Sequence, residues 1–168
     1  MEGVNDVRYV GVDVGKRRCR AAFVDEDGVL VDEFSFLNDF EGVELFVSKL
    51  SEGDCVVMES TGNLWLNLFE AVEANGVKAV LANPLKMRAI ASAKIRNDKV
   101  DARVLAFLLR GGLVAECYVP PRDVRELRAL VRHRMQLVRT AAMVKNRVHS
   151  LLDKYGFKHG FSDVFGKA

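Results

Sequence analysis

RYVGVDVGKRRCRAAFVDEDGVLVDEFSF, residues 8–36, decides the fold. Arg8 to Val14 is short and β-branched, Arg20 to Val24 forms a second run of the same kind, and Val29 to Phe36 forms a third. Asp25-Glu26-Asp27-Gly28 between the last two runs is hairpin-turn chemistry, so the stretch predicts a three-strand antiparallel meander. Downstream, Asn38-Asp39 breaks the pattern, and Val43, Phe46, Val47 and Leu50 then fall at helical spacing up to Gly53. Asp54 to Glu59 (DCVVME) is an apolar run of the kind found in strands buried on both faces. Ser60-Thr61-Gly62-Asn63 predicts a loop and helix cap, and Leu64, Leu68 and Val72 give the following helix its apolar face. After Asn75-Gly76, Val77 to Leu81 returns as a strand.

From Asn83-Pro84 onward the pattern is helical, with Pro84 suited to a first helical position and no further strand predicted. Asp98 to Leu109 reads as a helix ended by Gly111-Gly112. Between Asp123 and about Tyr155 there is neither Gly nor Pro. Leu130, Leu137, Val144 and Leu151 recur there every seven residues, which predicts one long helix or a helical pair. Arg134 interrupts the partner stripe.

At 168 residues, 49% of them hydrophobic, the chain can bury a core without disulfides or a structural metal. Cys19, Cys55 and Cys117 are odd in number and lack CxxC spacing, which fits a reducing, cytoplasmic compartment. No apolar run approaches the roughly 20 residues a membrane helix needs, and the first residues do not have signal-peptide character. The net charge of +2 hides an asymmetry. Residues 1–80 carry 7 Lys or Arg against 16 Asp or Glu, a net −9, while residues 81–168 carry 18 against 7, a net +11. The second half therefore offers a positive field to a polyanion such as nucleic acid.

A meander followed by helix, strand, helix and strand is the element order of ribonuclease-H-like and actin-like α/β domains. In that order Asp13 lies within the first strand and Glu59 ends the fourth. A carboxylate inside an apolar strand is costly unless a cation compensates for it; the bland alternative is a salt bridge to Lys16 or Arg17. Asp98 and Asp101, at i and i+3 on a predicted helix, would share one face with Cβ atoms about 5–6 Å apart. Their bland alternative is capping or helix-dipole stabilisation. Taken together, the four acids repel one another unless hard divalent cations neutralise them. That predicts Mg²⁺ or Mn²⁺, two ions, acting on a phosphodiester. Lys94, Arg96, Lys99 and Arg103 surround the second acidic pair and suit flanking phosphates. Arg125, Arg128, Arg132, Arg139, Lys145 and Arg147 spread around the long helix, which suits phosphate contacts without base readout. His133, His149 and His159 have no ligand spacing.

The segments GVDVGK (11–16), MESTGN (58–63), NPLKMRAIASAK (83–94) and NDKVDA (97–102) resemble, in order, the DEDD transposases of the insertion-sequence 110 (Piv-like) family. Asp13, Glu59, Asp98 and Asp101 fall on that family's four acidic positions. The segment 127–152 resembles the basic helical region that follows its catalytic domain. The family usually has Ser where this chain has Gly15 and Thr where it has Asn97; neither change removes a carboxylate. The resemblance implies an α/β, ribonuclease-H-like (RuvC-like) mixed sheet with flanking helices, followed by a long basic helical extension. The expected organisation is a catalytic domain over 1–119, a basic helical or coiled-coil extension over 120–157 and a tail over 158–168. It further implies DNA recombination, a structured noncoding guide RNA, assembly as a dimer or tetramer through the long helix, and a serine-bearing C-terminal domain outside these residues. Two rival readings are a non-catalytic nucleic-acid-binding module, which treats the acids as structural, and an actin-like ATPase lobe, which GVDVGKRRCRAAFVDEDG resembles over a single hairpin.

Overall fold

The computed structural model describes residues 7–60, 62–92, 101–161 and 163–166. The chain divides into two compact units, 1–119 and 120–168.

The first unit is a five-stranded sheet flanked by helices. In chain order its elements are β1 (Tyr9–Val14), β2 (Arg18–Val24), β3 (Leu30–Leu37), α1 (Phe40–Val47), β4 (Cys55–Glu59), α2 (Leu66–Ala74), β5 (Lys78–Ala82), α3 (Pro84–Ser92) and α4 (Ala102–Arg110). The sheet order is β3-β2-β1-β4-β5. β1, β2 and β3 pair antiparallel, whereas β4 pairs parallel with both β1 and β5. This is the ribonuclease-H-like mixed sheet that the element order predicts. The β2–β3 hairpin closes where the side chain of Asp25 accepts from the Val29 backbone N–H at 2.7 Å, and Gly28 supplies the left-handed φ of 86° that the turn requires.

Strand alternation divides the core into two layers. Val10 and Val12 of β1, Cys19, Ala21 and Phe23 of β2, and Val56 and Met58 of β4 face α1 and α2, meeting Val43, Phe46, Leu68, Phe69 and Val72. Val57 of β4 and Val80 and Ala82 of β5 face the other way, onto Met87 of α3 and Leu105 and Leu108 of α4. Gly11 lies on this second face, and α4 crosses β1 there with no room for a side chain. Two further contacts tie α4 to the sheet. Arg103 pairs with Glu33 of β3, and the Arg110 Nε donates to the Glu26 carbonyl at 2.8 Å. Just before β1, Arg8 grips the buried Asp54 through two hydrogen bonds of 2.9 and 2.6 Å.

Three local expectations need correction. First, α2 begins only at Leu66, after Trp65, with no side-chain cap. The Trp65 indole instead donates to the Gly62 carbonyl at 3.0 Å, so Ser60 to Asn63 form the loop without the cap; Thr61 lies outside the described residues. Second, Asp101 has an extended backbone (φ −93°, ψ 176°) and caps α4 from outside it. The helix predicted from Asp98 is thus described only from Ala102, and Asp98 lies outside the described residues. Third, beyond Asn83 an isolated antiparallel bridge joins Ala82 to Glu116, with the Cys117 N–H donating to the Leu81 carbonyl at 2.6 Å.

In the second unit, α5 (Arg122–Lys154) is one helix of 33 residues. None of its residues is buried, and Leu130, Leu137, Val144 and Leu151 of the seven-residue stripe are all at least half exposed. Past Tyr155-Gly156 the chain turns back, and Phe165 meets His149 edge-on at 5.5 Å with Lys145 over its ring. Among the described residues no helix is long and apolar enough to cross a membrane.

Candidate active site

Asp13 and Glu59 reach the same place because β1 and β4 run parallel and in register. Gly11 is opposite Val57 and Val12 opposite Met58. Continuing that register by one residue sets Asp13 beside Glu59, one strand spacing of about 4.8 Å away. Alternation sends both side chains to the face that carries α3 and α4, because their neighbours Val12 and Met58 fill the opposite layer. Both carboxylates are half-buried. Lys16 and Arg17, the two cations nearest to Asp13 along the chain, make no ion pair with it.

Burial pushes the Glu59 carboxyl above its ordinary value; Arg88 opposes that rise and Asp13 adds to it. For Glu59, burial is the larger effect and the neighbouring acid the smaller one, and both disfavour the ionised form. A stability consequence follows. A carboxyl that holds its proton more tightly in the folded state supports folding below about pH 4, and that contribution is lost as the pH rises through its raised value. In EDTA, Glu59→Gln is therefore expected to raise the melting temperature by a few degrees at pH 7 and by much less at pH 4. Equal shifts at the two pH values would show that the ionised Glu59 is not the strained species.

Asp101 stands at the start of α4, where its Oδ1 accepts from the Val104 N–H at 3.0 Å. The capping role is therefore real for this residue. It occupies one oxygen in that bond, and the helix it caps packs over Gly11 of β1 through Ala102, Leu105 and Ala106. Asp98, Lys94, Arg96 and Lys99 lie outside the described residues. Among the described residues, no group of three or more His, Cys, Asp or Glu is close enough to hold a metal ion. Arg103, read from the sequence as a phosphate ligand, spends its guanidinium on Glu33, which Arg20 also contacts at 2.7 Å. These bonds hold Glu33 below the usual carboxylate range and Arg103 above its ordinary value. Arg125, Arg128, Arg132, Arg139, Lys145 and Arg147 all lie on α5, where Arg125 donates to the Pro120 carbonyl at 2.8 Å.

Sequence reasoning misses Arg88. It follows Met87, which is packed under Val57 and Val80, and so stands on the carboxylate face near Glu59. Its sequence signals are its place in the segment 83–94 and its position in the second turn after β5.

The family model for the DEDD transposases of insertion-sequence 110, described as "Transposase", matches residues 10–157. The chain belongs to that family. Within it, the Coxiella burnetii (strain RSA 493 / Nine Mile phase I) transposase for insertion sequence element IS1111A is 24% identical over 157 residues. The match takes in 91% of this DEDD-family chain and 41% of the relative, so the chain spans well under half the relative's length. Among solved structures, ethanolamine utilization protein EutJ from Carboxydothermus hydrogenoformans is similar over 52% of this chain and 40% of its own, with 17% identity and a TM-score of 0.36. A family match of this extent replaces the single-hairpin likeness to actin-like ATPases.

Proposed function

We propose that residues 1–119 are the acidic catalytic domain of a DNA transposase, with Asp13, Glu59, Asp98 and Asp101 as its metal-binding set. The observation that carries this reading is the in-register placement of Asp13 beside Glu59 on one sheet face, with burial raising the Glu59 carboxyl. Adjacent hard-oxygen donors of this kind fit Mg²⁺ or Mn²⁺ and suit no soft metal. Two such ions, when bound, supply charge neutralisation on a phosphodiester. The chain's own contribution is positional. The paired strands fix Asp13 and Glu59, and the cap at Asp101 fixes the start of α4 against them. Family membership supports DNA as the substrate. The excess of Arg and Lys on α5 supports phosphate contacts there with DNA or a structured guide RNA, while its exposed apolar stripe supports a second copy of the chain as partner. A serine-bearing domain outside these residues would complete the recombination chemistry.

The reading is tested by Mn²⁺ titration of the 168-residue protein followed calorimetrically. Asp13→Asn and Glu59→Gln are each expected to weaken Mn²⁺ at least about tenfold while keeping the circular dichroism spectrum. Unchanged Mn²⁺ affinity in both variants, with nucleic-acid binding retained, would overturn the catalytic assignment in favour of a binding module.

A further inference from the structure

The described arginines of residues 1–119 divide by what their guanidinium groups do. Arg8 ends on Asp54, Arg20 and Arg103 end on Glu33, and Arg110 ends on the Glu26 carbonyl. These four hold the fold together. Arg17, Arg18 and Arg88 are exposed and make no side-chain hydrogen bond or ion pair with another described residue, and the same holds for Lys16 beside them. An unpaired cation is ordinary when solitary, but these four share one location.

Parallel pairing puts the C-terminal ends of β1, β4 and β5 at one edge of the sheet. Lys16 and Arg17 occupy the β1–β2 connection at that edge, just beyond the end of β1, and Arg18 opens β2. Arg18 pairs within β2 two residues before Arg20, so alternation places it on the face of Arg20, opposite to the buried Cys19 and on the side of Asp13. On the far side of Glu59, β5 ends at Ala82 and α3 begins at once. Asn83 fixes its start by accepting from the Leu85 and Lys86 N–H groups at 3.1 and 3.2 Å. Met87 is buried beneath α3 against Val57, and Arg88 follows it into solvent beside Glu59. The carboxylate pair is thus bracketed by cations on both sides along the strand-end edge. From β1 to β5 is two strand spacings, about 10 Å, the axial rise of roughly three base pairs of a duplex.

We propose that Lys16, Arg17 and Arg18 on one side and Arg88 on the other are two phosphate grips that lay one nucleic-acid strand across the ends of β1, β4 and β5, with the Asp13–Glu59 pair between them. The inference rests on the proposed function and adds the path of the strand. Cations that touch only phosphates set register without reading sequence. These residues therefore position the backbone, while sequence choice comes from elsewhere. The separation of roles among the arginines also explains why Arg103 is not part of the grip, since its charge is already spent on Glu33.

The test is fluorescence anisotropy of the full 168-residue chain with a labelled DNA duplex of arbitrary sequence in EDTA, as a function of KCl. For the triple variant Arg17→Gln, Arg18→Gln, Arg88→Gln, the slope of log affinity against log salt is expected to fall by about two to three, roughly 0.9 for each phosphate no longer neutralised. Replacement of the same three residues by Lys keeps the charge and is expected to keep the slope. Since all three side chains are exposed and make no hydrogen bond or ion pair with another described residue, and Arg88 acts on Glu59 only through its charge, the protein should stay folded, with the melting temperature lowered by at most a few degrees. A comparison variant on α5, Arg132→Glu with Lys145→Glu, distinguishes failure of the grips from failure of nucleic-acid binding as a whole. A flattened slope in the α5 variant with an unchanged slope in the triple variant would overturn the grips and leave nucleic-acid binding standing. A wild-type chain that fails to bind the duplex at low salt would overturn both.

Discussion

Gly11→Ala is expected to destabilise residues 1–119 by about 3 kcal/mol and to detach α4 from the sheet. A Cβ built at Gly11 would lie 2.0 Å from the Ala102 carbonyl oxygen, 2.5 Å from the Ala106 nitrogen and 2.9 Å from the Leu105 Cβ. Two of these atoms are helix backbone, so no rotamer change relieves the overlap, and the whole helix must translate. Translation breaks other contacts in turn. It draws Leu105 and Leu108 out of the layer they share with Val57 and Met87, and it strains the Arg103–Glu33 and Arg110–Glu26 ties. It also moves Asp101, because that residue caps the turn that presses on Gly11. Thermal unfolding should show a fall of roughly 10 °C, and amide exchange should accelerate most in 102–110. A loss below about 1 kcal/mol would mean that α4 tolerates displacement and does not fix Asp101.

Arg8→Leu is expected to cost about 3 kcal/mol, because it strands a buried charge. The Asp54 residue is only 2% exposed; its two oxygens take the Arg8 Nε at 2.9 Å and Nη2 at 2.6 Å, with the Ser51 N–H at 2.8 Å as the remaining donor. Arg8 gains as well. The bonds to Asp54 raise its pKa, its other hydrogen bonds reach the Lys49 carbonyl and Ser51 Oγ, and its guanidinium stacks over Phe23 at 5.1 Å. Removing both members, Arg8→Leu with Asp54→Leu, should recover a substantial part of the loss, since the cost lies in the unpaired partner more than in the pair. Urea unfolding of the two single variants and the double variant forms the cycle. Strict additivity would show that the two residues act independently, contrary to the geometry. Neither change touches the strand-end edge, and Mn²⁺ titration should therefore be unaffected wherever the protein remains folded.

By itself the sequence determined the order of elements and the positions of two acids. Tyr9 to Val14 and Cys55 to Glu59 are short apolar runs whose character follows from their own residues, so the placement of Asp13 within β1 and Glu59 at the end of β4 was legible. The continuous helix 122–154 was legible for the same reason, as nothing in it breaks a helix. Local signals of this kind act over a few residues. They were silent, or pointed elsewhere, wherever a side chain's role depends on a partner distant in the chain. The sequence placed Asp101 inside a helix, but α4 starts after it, where Ala102 and Leu105 dock against Gly11. Arg103 looked like a phosphate ligand until the fold supplied Glu33, which is 70 residues away in sequence. Arg88 lay unremarked inside the segment 83–94; it acquires a role only because parallel pairing of β4 and β5 carries α3 to the side of Glu59. Periodicity and strand character are properties of neighbouring residues, whereas the choice of which charges meet is made by sheet register and helix docking, and only the tertiary structure contains those.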